Sequence, residues 1–199
     1  RIHQSGDRLL TLLNNLLDLS KLEAGMMQLN LSRQDIGLLV RDAIAESEGW
    51  AAARQIHIEL DMSLPDPWII LDPVRFGQVI RNLLSNAVKF SSADACVRVL
   101  ISAAHLPRGR RASDLADIPA VRVEVRDEGI GIPEEELELV FDKFVQSSKT
   151  KTGAGGTGLG LAICREIVIA HRGTITACNN PGGGASLIVT LPQESGNNQ

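Results

Sequence analysis

Apolar residues recur along the chain with two different periods, and each change of period marks an element boundary. Between residues 2 and 24, Leu9, Leu12, Leu16 and Leu19 follow 3-4-3 spacing, and Leu10, Leu13 and Leu17 form a second seam beside them. The pattern predicts one long helix that is apolar on two neighbouring faces, as in a helical bundle. No other segment matches it, so its partners are expected from outside this chain, and dimerisation through residues 2–24 is the expected outcome. Gly25 sits where a C-cap belongs, and residues 26–32 alternate as a short connector strand. Asp35 caps a second helix over 36–54, which carries Leu38, Leu39, Ala43, Ile44 and Trp50. Brief strands are expected at 56–60 and 68–71, around the turn Pro65-Asp66-Pro67.

Asp72-Pro73 then opens a helix with apolar positions from Val74 and Phe76 through Leu83, Leu84 and Val88. Residues 97–103 and 121–126 read as neighbouring strands, separated by a polar loop over 105–119. Pro133 and three glutamates open a short helix reaching Val140, and a further helix spans 159–171. Strands at 174–177 and 185–191 close the chain as a hairpin around Asn179-Asn180-Pro181-Gly182-Gly183-Gly184, and residues 193–199 read as a disordered tail. Interleaved helices and strands with a terminal hairpin predict a two-layer α/β sandwich, with helices on one face of a mixed sheet.

Composition narrows the function. At 199 residues, with 44% hydrophobic and 22% charged residues, the chain has room for one substantial domain plus an appendage. A net charge of −4 argues against nucleic acid as a partner and against a membrane surface, and the basic run at 108–111 sits among loop residues. Cys96, Cys164 and Cys178 are odd in number and far apart, and His3, His57, His105 and His171 do not cluster. Neither set offers zinc spacing or a disulfide framework, which fits a reducing, cytoplasmic setting. No apolar run approaches the ~18 residues needed to span a bilayer. Arg1 in place of Met reads as a piece of a longer protein, with any membrane anchor upstream.

The candidate chemistry begins with five glycines, Gly153, Gly155, Gly156, Gly158 and Gly160, placed immediately before a helical pattern. A glycine loop opening a helix presents free amides and a positive dipole end to an anion, so a phosphate lid is expected. A P-loop is excluded because Leu159, not Lys-Ser/Thr, follows the run. The dinucleotide fingerprint is excluded because no strand precedes the run, and Asn179-Asn180 stand where an acidic residue belongs. The protein-kinase signature set is missing as well.

Two further constellations complete a nucleotide site. Asn82, Asn86 and Lys89 fall on one helix face, where an asparagine carbonyl suits Mg²⁺ and an ammonium suits phosphate. Asp127 stands at a strand end before Gly129 and Gly131; its carboxylate can accept from an exocyclic amine such as adenine's, and the glycines let a base lie against the backbone.

With these residues in view, the chain resembles the sensor histidine kinases. Residues 82–90 are similar to their N box, 127–131 to the first G box, 141–144 to the F box and 156–161 to the second G box, in the same order. Residues 1–25 resemble the second helix of the dimerisation and phosphotransfer domain, 26–35 a linker, and 36–192 the catalytic domain, followed by a tail over 193–199. The resemblance implies the Bergerat-type ATP-binding fold shared with gyrase and the heat-shock chaperone ATPase. It implies ATP with Mg²⁺ on Asn86, Asn82 and Lys89 near the phosphates, Asp127 on the adenine amine, and Gly158 with Gly160 on the phosphate chain. Phe90, Gly129, Gly131, Ile132, Thr157, Leu159 and Leu161 are implied as further ATP-binding positions, and Phe144 as the anchor of a lid whose hinge is 153–156.

Two departures stand out. Relatives place an arginine after the F box; here Val145-Gln146 follow, leaving Lys143, Lys149 or Lys151 to supply a cation. No phosphoacceptor box is present, since His3 lacks an acidic neighbour, so the acceptor histidine is expected on a helix outside the chain, with a response-regulator receiver domain as the downstream partner. A degenerate, scaffold-like relative is the alternative. A gyrase-like clamp is disfavoured, because residues 78–86 hold no glutamate base.

Overall fold

A computed structural model describes Leu13 and residues 28–107, 117–150 and 157–193. The expected bundle helix over 2–24, the basic run at 108–111, the hinge over 153–156 and the tail beyond Gln193 lie outside the described residues, except that Leu13 is helical and about half exposed. The strands are β1 (Ser32–Asp35), β2 (His57–Ser63), β3 (Trp68–Leu71), β4 (Cys96–Pro107), β5 (Asp117–Arg126), β6 (Thr174–Asn179) and β7 (Ala185–Pro192). The helices are α1 (Ile36–Ala52), α2 (Pro73–Phe90) and α3 (Gly160–Ala170). Among the described residues no helix is long and apolar enough to cross a membrane.

Five strands form one mixed sheet in the order β2-β4-β5-β7-β6, with β2 parallel to β4 and every other pair antiparallel. Register aligns the alternating apolar positions into rows that cross all five strands. One row is Met62, Ile101, Val123, Val189 and Ile175; the next is Leu60, Val99, Val125, Leu187 and Ala177. These rows form one continuous apolar face, because neighbouring residues on a strand point to opposite sides of the sheet. Helices α1, α2 and α3 cover that face, contributing the fully buried Val40, Phe76, Leu83 and Ile163 to the same core. The opposite face is polar and exposes Glu59, Arg98 and Thr176. The result is the two-layer sandwich expected from the pattern.

Glu124 is the exception on the open face, since it is buried. Arg122 Nη2 donates to its Oε2 at 2.7 Å, Arg126 Nη2 to its Oε1 at 2.9 Å, and the Ser186 hydroxyl lies 2.7 Å from Oε1. Burial alone would raise its pKa, but the bonds from Ser186, Arg126 and Arg122 outweigh it and hold the carboxyl below 4.5.

The structure departs from the sequence reading in four places. Of the strand expected over 26–32, residues 28–31 are not strand; β1 begins at Ser32 and pairs with β3 as a separate antiparallel ribbon. Arg33 stacks 4.6 Å over the Trp68 ring on that ribbon. The helix expected at 133–140 is two 3₁₀ turns, Glu134–Glu136 and Leu139–Phe141, because so short a segment cannot repay α-helix nucleation. The arms of the 105–119 loop are strand, pairing His105 with Pro119 and Pro107 with Asp117. Gln193 is not free: its side-chain amide donates to the carbonyls of Asp66 and Trp68, at 2.8 and 3.2 Å.

Asp72 ties the helical layer together. Its Oδ1 caps α2 by accepting from Val74 N at 3.0 Å and Arg75 N at 3.1 Å, and its Oδ2 accepts from Asn30 N at 2.9 Å. Its own N–H donates to His171 Nε2 at 3.0 Å, so the imidazole carries its proton on Nδ1 and directs it to the Ile167 carbonyl, 2.8 Å away. Burial of Asp72 pushes its carboxyl up, yet the three backbone bonds prevail and hold it below 3.8. A depressed carboxyl stabilises the fold above its unfolded value and loses that contribution as pH falls through the folded value. Asp72→Ala is therefore expected to cost about 2 kcal/mol at pH 7 in urea denaturation. The gap from the parent should shrink below about pH 4; a gap independent of pH would remove the cap from this account.

Candidate functional site

Helix α2 buries Phe76, Val79, Ile80, Leu83, Leu84, Ala87 and Val88, which leaves one strip along it for polar groups. Asn82, Asn86 and Lys89 occupy that strip and line a cavity of about 300 Å³ between α2, the segment after β5, the end of β7 and the start of α3. Arg54 closes the C-terminal end of α2 by donating to the carbonyls of Val88 and Lys89, at 3.0 and 2.9 Å.

The groups facing the cavity have bonding capacity that the protein leaves open. Asn86 makes no side-chain hydrogen bond to any described residue. The Lys89 ammonium lies 4.8 Å from the Phe90 ring, and among the described residues no carboxylate pairs with it. Desolvation and the nearby Arg54 charge together lower its pKa from 10.5, as expected for a cation awaiting an anion. Asn82 is more constrained, because its Oδ1 lies against the start of α3, 3.3 Å from where a Cβ on Gly160 would stand. The Cys164 thiol is buried and pushed up to about 12, so it is chemically inert.

Asp127 is buried where β5 ends. Its Oδ1 accepts from Gly129 N at 2.8 Å and Ala185 N at 3.1 Å, while Oδ2 has no partner among the described residues. Burial raises its pKa above 3.8, with the two N–H bonds offsetting part of the rise. The arrangement orients one oxygen by the backbone and leaves the other for a donor arriving in the cavity.

The glycines of this segment serve the protein before they serve a ligand. A Cβ on Gly129 would lie 2.5 Å from the Phe90 carbonyl oxygen, and one on Gly131, whose φ is +68°, would meet Asn179 Oδ1 at 2.9 Å. Both allow close approach of neighbouring backbone and side chain, a reason different from the base contact read from the sequence. Gly158 is likewise left-handed, with φ +67°, and a Cβ there would lie 2.8 Å from the Phe144 carbonyl carbon. Phe144 N donates to Gly158 O at 2.9 Å and itself holds φ +62°. That is a strained conformation for an aromatic residue, and the Gly158 contact maintains it.

Of the positions expected to bind ATP, the cavity wall contains Asn82, Asn86, Lys89, Phe90, Asp127, Gly131, Ile132, Thr157, Gly158, Gly160 and Leu161. Gly129, Phe144 and Leu159 are not in the wall: Gly129 packs against Phe90, Phe144 is 65% exposed, and Leu159 is core. Ala185 and Leu187 form part of the wall unannounced by any motif; only the pairing of Leu187 with Val125 brings them beside Asp127. Of the three lysines weighed as a cation, Lys149 donates to the Ile130 carbonyl at 3.0 Å, beside the cavity, and Lys151 lies outside the described residues.

Residues 71–195 match the family described as "Histidine kinase-, DNA gyrase B-, and HSP90-like ATPase". The chain is 35% identical over 193 residues to sensor histidine kinase WalK of Bacillus subtilis (strain 168), covering 94% of this chain and 29% of that protein. It is 31% identical over 193 residues to sensor protein EvgS of Escherichia coli (strain K12), covering 96% and 15%. The crystal structure of full-length ShkA in complex with AMPPNP superposes with a TM-score of 0.77 at 32% identity, covering 96% of this chain and 37% of that one. The chain thus spans well under half the length of each.

Asp127→Asn separates stability from recognition. The amide keeps an acceptor for Gly129 N and Ala185 N but turns a donor toward the cavity and removes a buried charge. The nucleotide-free variant should melt no lower than the parent at pH 7, since a raised folded pKa means the ionised carboxylate costs stability there. Its ATP affinity should fall tenfold or more, about 1.4 kcal/mol, in calorimetric titration. Unchanged affinity would release Asp127 from base recognition.

Proposed function

The chain belongs to the Histidine kinase-, DNA gyrase B-, and HSP90-like ATPase family and is the ATP-binding catalytic domain of a sensor histidine kinase; on that premise, we propose that it binds ATP with Mg²⁺ in the cavity beside α2 and donates the γ-phosphoryl group to a histidine outside this chain. The observation that carries the reading is the strip on α2 where, among the described residues, a desolvated Lys89 has no carboxylate and the Asn86 amide no partner, on the wall shared with an equally unengaged Asp127 oxygen. The three groups fit the three parts of a metal nucleotide, namely phosphates, metal and base. Asn86 would hold Mg²⁺ through its carbonyl oxygen, Lys89 and Asn82 would meet phosphate oxygens, and Asp127 Oδ2 would accept from the adenine amine. The metal, when bound, neutralises charge on the phosphates.

In the transfer, the bond from the γ-phosphorus to the β,γ-bridging oxygen breaks, a P–N bond to the acceptor imidazole forms, and ADP leaves. The imidazole proton passes to a base on the acceptor side, since no carboxylate of this chain stands on the α2 strip. The chain's own part is positioning and charge neutralisation, which is most of what phosphoryl transfer requires of a protein. By the same resemblance, residues 2–24 would supply one helix of a dimeric bundle, and a receiver domain of a response regulator would take the phosphoryl group onward.

Mixing the chain with γ-labelled ATP, Mg²⁺ and a separately made acceptor domain of its parent protein should yield acid-labile label on histidine. Normal ATP binding with no labelled histidine would sink the transfer. Asn86→Ala should remove the Mg²⁺-dependent part of the ATP affinity in calorimetry while shifting the nucleotide-free melting temperature by no more than about 2 °C, as for a half-exposed side chain without partners. Parallel losses in both would make Asn86 a structural residue instead.

A further inference from the structure

The segment that carries Asp127 has little internal structure of its own. Between Asp127 and Ile132 the one hydrogen bond within the segment that orients the carboxylate is Gly129 N to Asp127 Oδ1. Its middle is held by Cys96 N on Glu128 and by Lys149 on the Ile130 carbonyl, while its two ends are held by residues at and beside the turn joining β6 to β7. At the first end, Asp127 N donates to Ala185 O at 2.9 Å, Ala185 N returns a bond to Asp127 Oδ1 at 3.1 Å, and Asn180 Nδ2 donates to Asp127 O at 3.0 Å. Asn180 is itself oriented by the Ser186 hydroxyl, 2.7 Å from its Oδ1.

At the other end the hold is a two-point clamp. Asn179 Oδ1 accepts from Ile132 N at 2.8 Å and Asn179 Nδ2 donates to Ile132 O at 2.7 Å, so one side-chain amide engages both polar groups of a single residue. Ile132 lines the cavity, whereas Asn179 is exposed and lies outside its wall. Gly131, between them, is left-handed and has no room for a Cβ against Asn179 Oδ1. That crowding fixes the clamp's approach.

We propose that Asn179 is a positioning residue for base recognition: by gripping Ile132 from the end of β6 it sets the distance between Ile132 and Asp127 and thereby the shape of the base end of the cavity. This rests on the nucleotide reading above. The amide matches this task because the peptide presents one donor and one acceptor side by side, and an asparagine side chain offers the complementary pair. Alanine offers neither and aspartate offers no donor. The phosphate end, on α2 and at the start of α3, has no hydrogen bond to Asn179, so the effect should be confined to the base end.

The test uses the 199-residue chain and three probes: ATP, ADP and inorganic tripolyphosphate, the last displacing a fluorescent nucleotide. Asn179→Ala should weaken ATP and ADP about fivefold, the scale of losing one net hydrogen bond, and leave tripolyphosphate unchanged. With an acceptor domain supplied, KM for ATP should rise by the same factor while the transfer rate at saturation stays the same. Asn179→Asp, which keeps the acceptor for Ile132 N and opposes the Ile132 carbonyl with a second oxygen, should reproduce the loss and serves if the alanine variant is poorly folded. Equal weakening of ATP and tripolyphosphate, or no weakening of either, would overturn the positioning role. Failure of the parent chain to bind ATP at all would instead overturn the nucleotide reading on which it depends.

Discussion

Burial of the apolar face of α2 against the sheet is the constraint on which the rest of the structure depends. Phe76, Val79, Ile80, Leu83 and Leu84 are each 0 or 1% exposed, and a helix can bury that much of its circumference only by lying between the sheet and its neighbours α1 and α3. One strip is then left over. It carries Asn82, Asn86 and Lys89, groups whose burial inside the core would cost several kcal/mol each. The cavity exists because those residues hold that strip open, and its phosphate-directed character follows from the same three side chains.

The base end depends on a different principle. Asp127 terminates β5, and its carboxylate can be buried because Gly129 and Ala185 satisfy one oxygen, with burial raising its pKa all the same. Among the described residues neither Asp127 Oδ2 nor the Lys89 ammonium is matched by an opposite group, which is unfavourable in the nucleotide-free protein. Such uncompensated groups cluster where a ligand completes them. Stability is recovered elsewhere, in the continuous apolar rows of the sheet and in the Asp72 junction that binds α2 to His171 and to the entering chain at Asn30.

Local chemistry made much of this visible in the residues. The α2 boundaries follow from Asp72-Pro73 as cap and first turn, and its face from a 3.6-residue period. The stripe Asn82-Asn86-Lys89 was legible because helix geometry fixes which residues share a face. The terminal hairpin and the β4–β5 pairing were legible from period-two alternation. Harder were features that need two distant segments at once. That β3 pairs with β1, that Ala185 and Leu187 line the cavity, and that Gly129 makes room for Phe90 all depend on contacts between residues far apart in the chain. Local pattern carries no information about such contacts. The 3₁₀ turns at 134–141 were misread as helix for the opposite reason: the local pattern favoured helix, and the segment was too short to pay for nucleation.

The sequence by itself determined most of the elements, the α/β class and the polar groups Asn82, Asn86, Lys89 and Asp127 that face the cavity, because periodicity, capping and glycine placement act over a few residues. Tertiary structure decided how those groups are held. Asn179 reads in the sequence as an ordinary residue of the hairpin loop over 179–184. It becomes a clamp only because the pairing of β5 with β7 and of β7 with β6 brings the end of β6 against Ile132. The physical reason is general: a hydrogen-bond donor and acceptor are fixed by residue type, but their partner is fixed by register, and register is settled only when the whole sheet assembles.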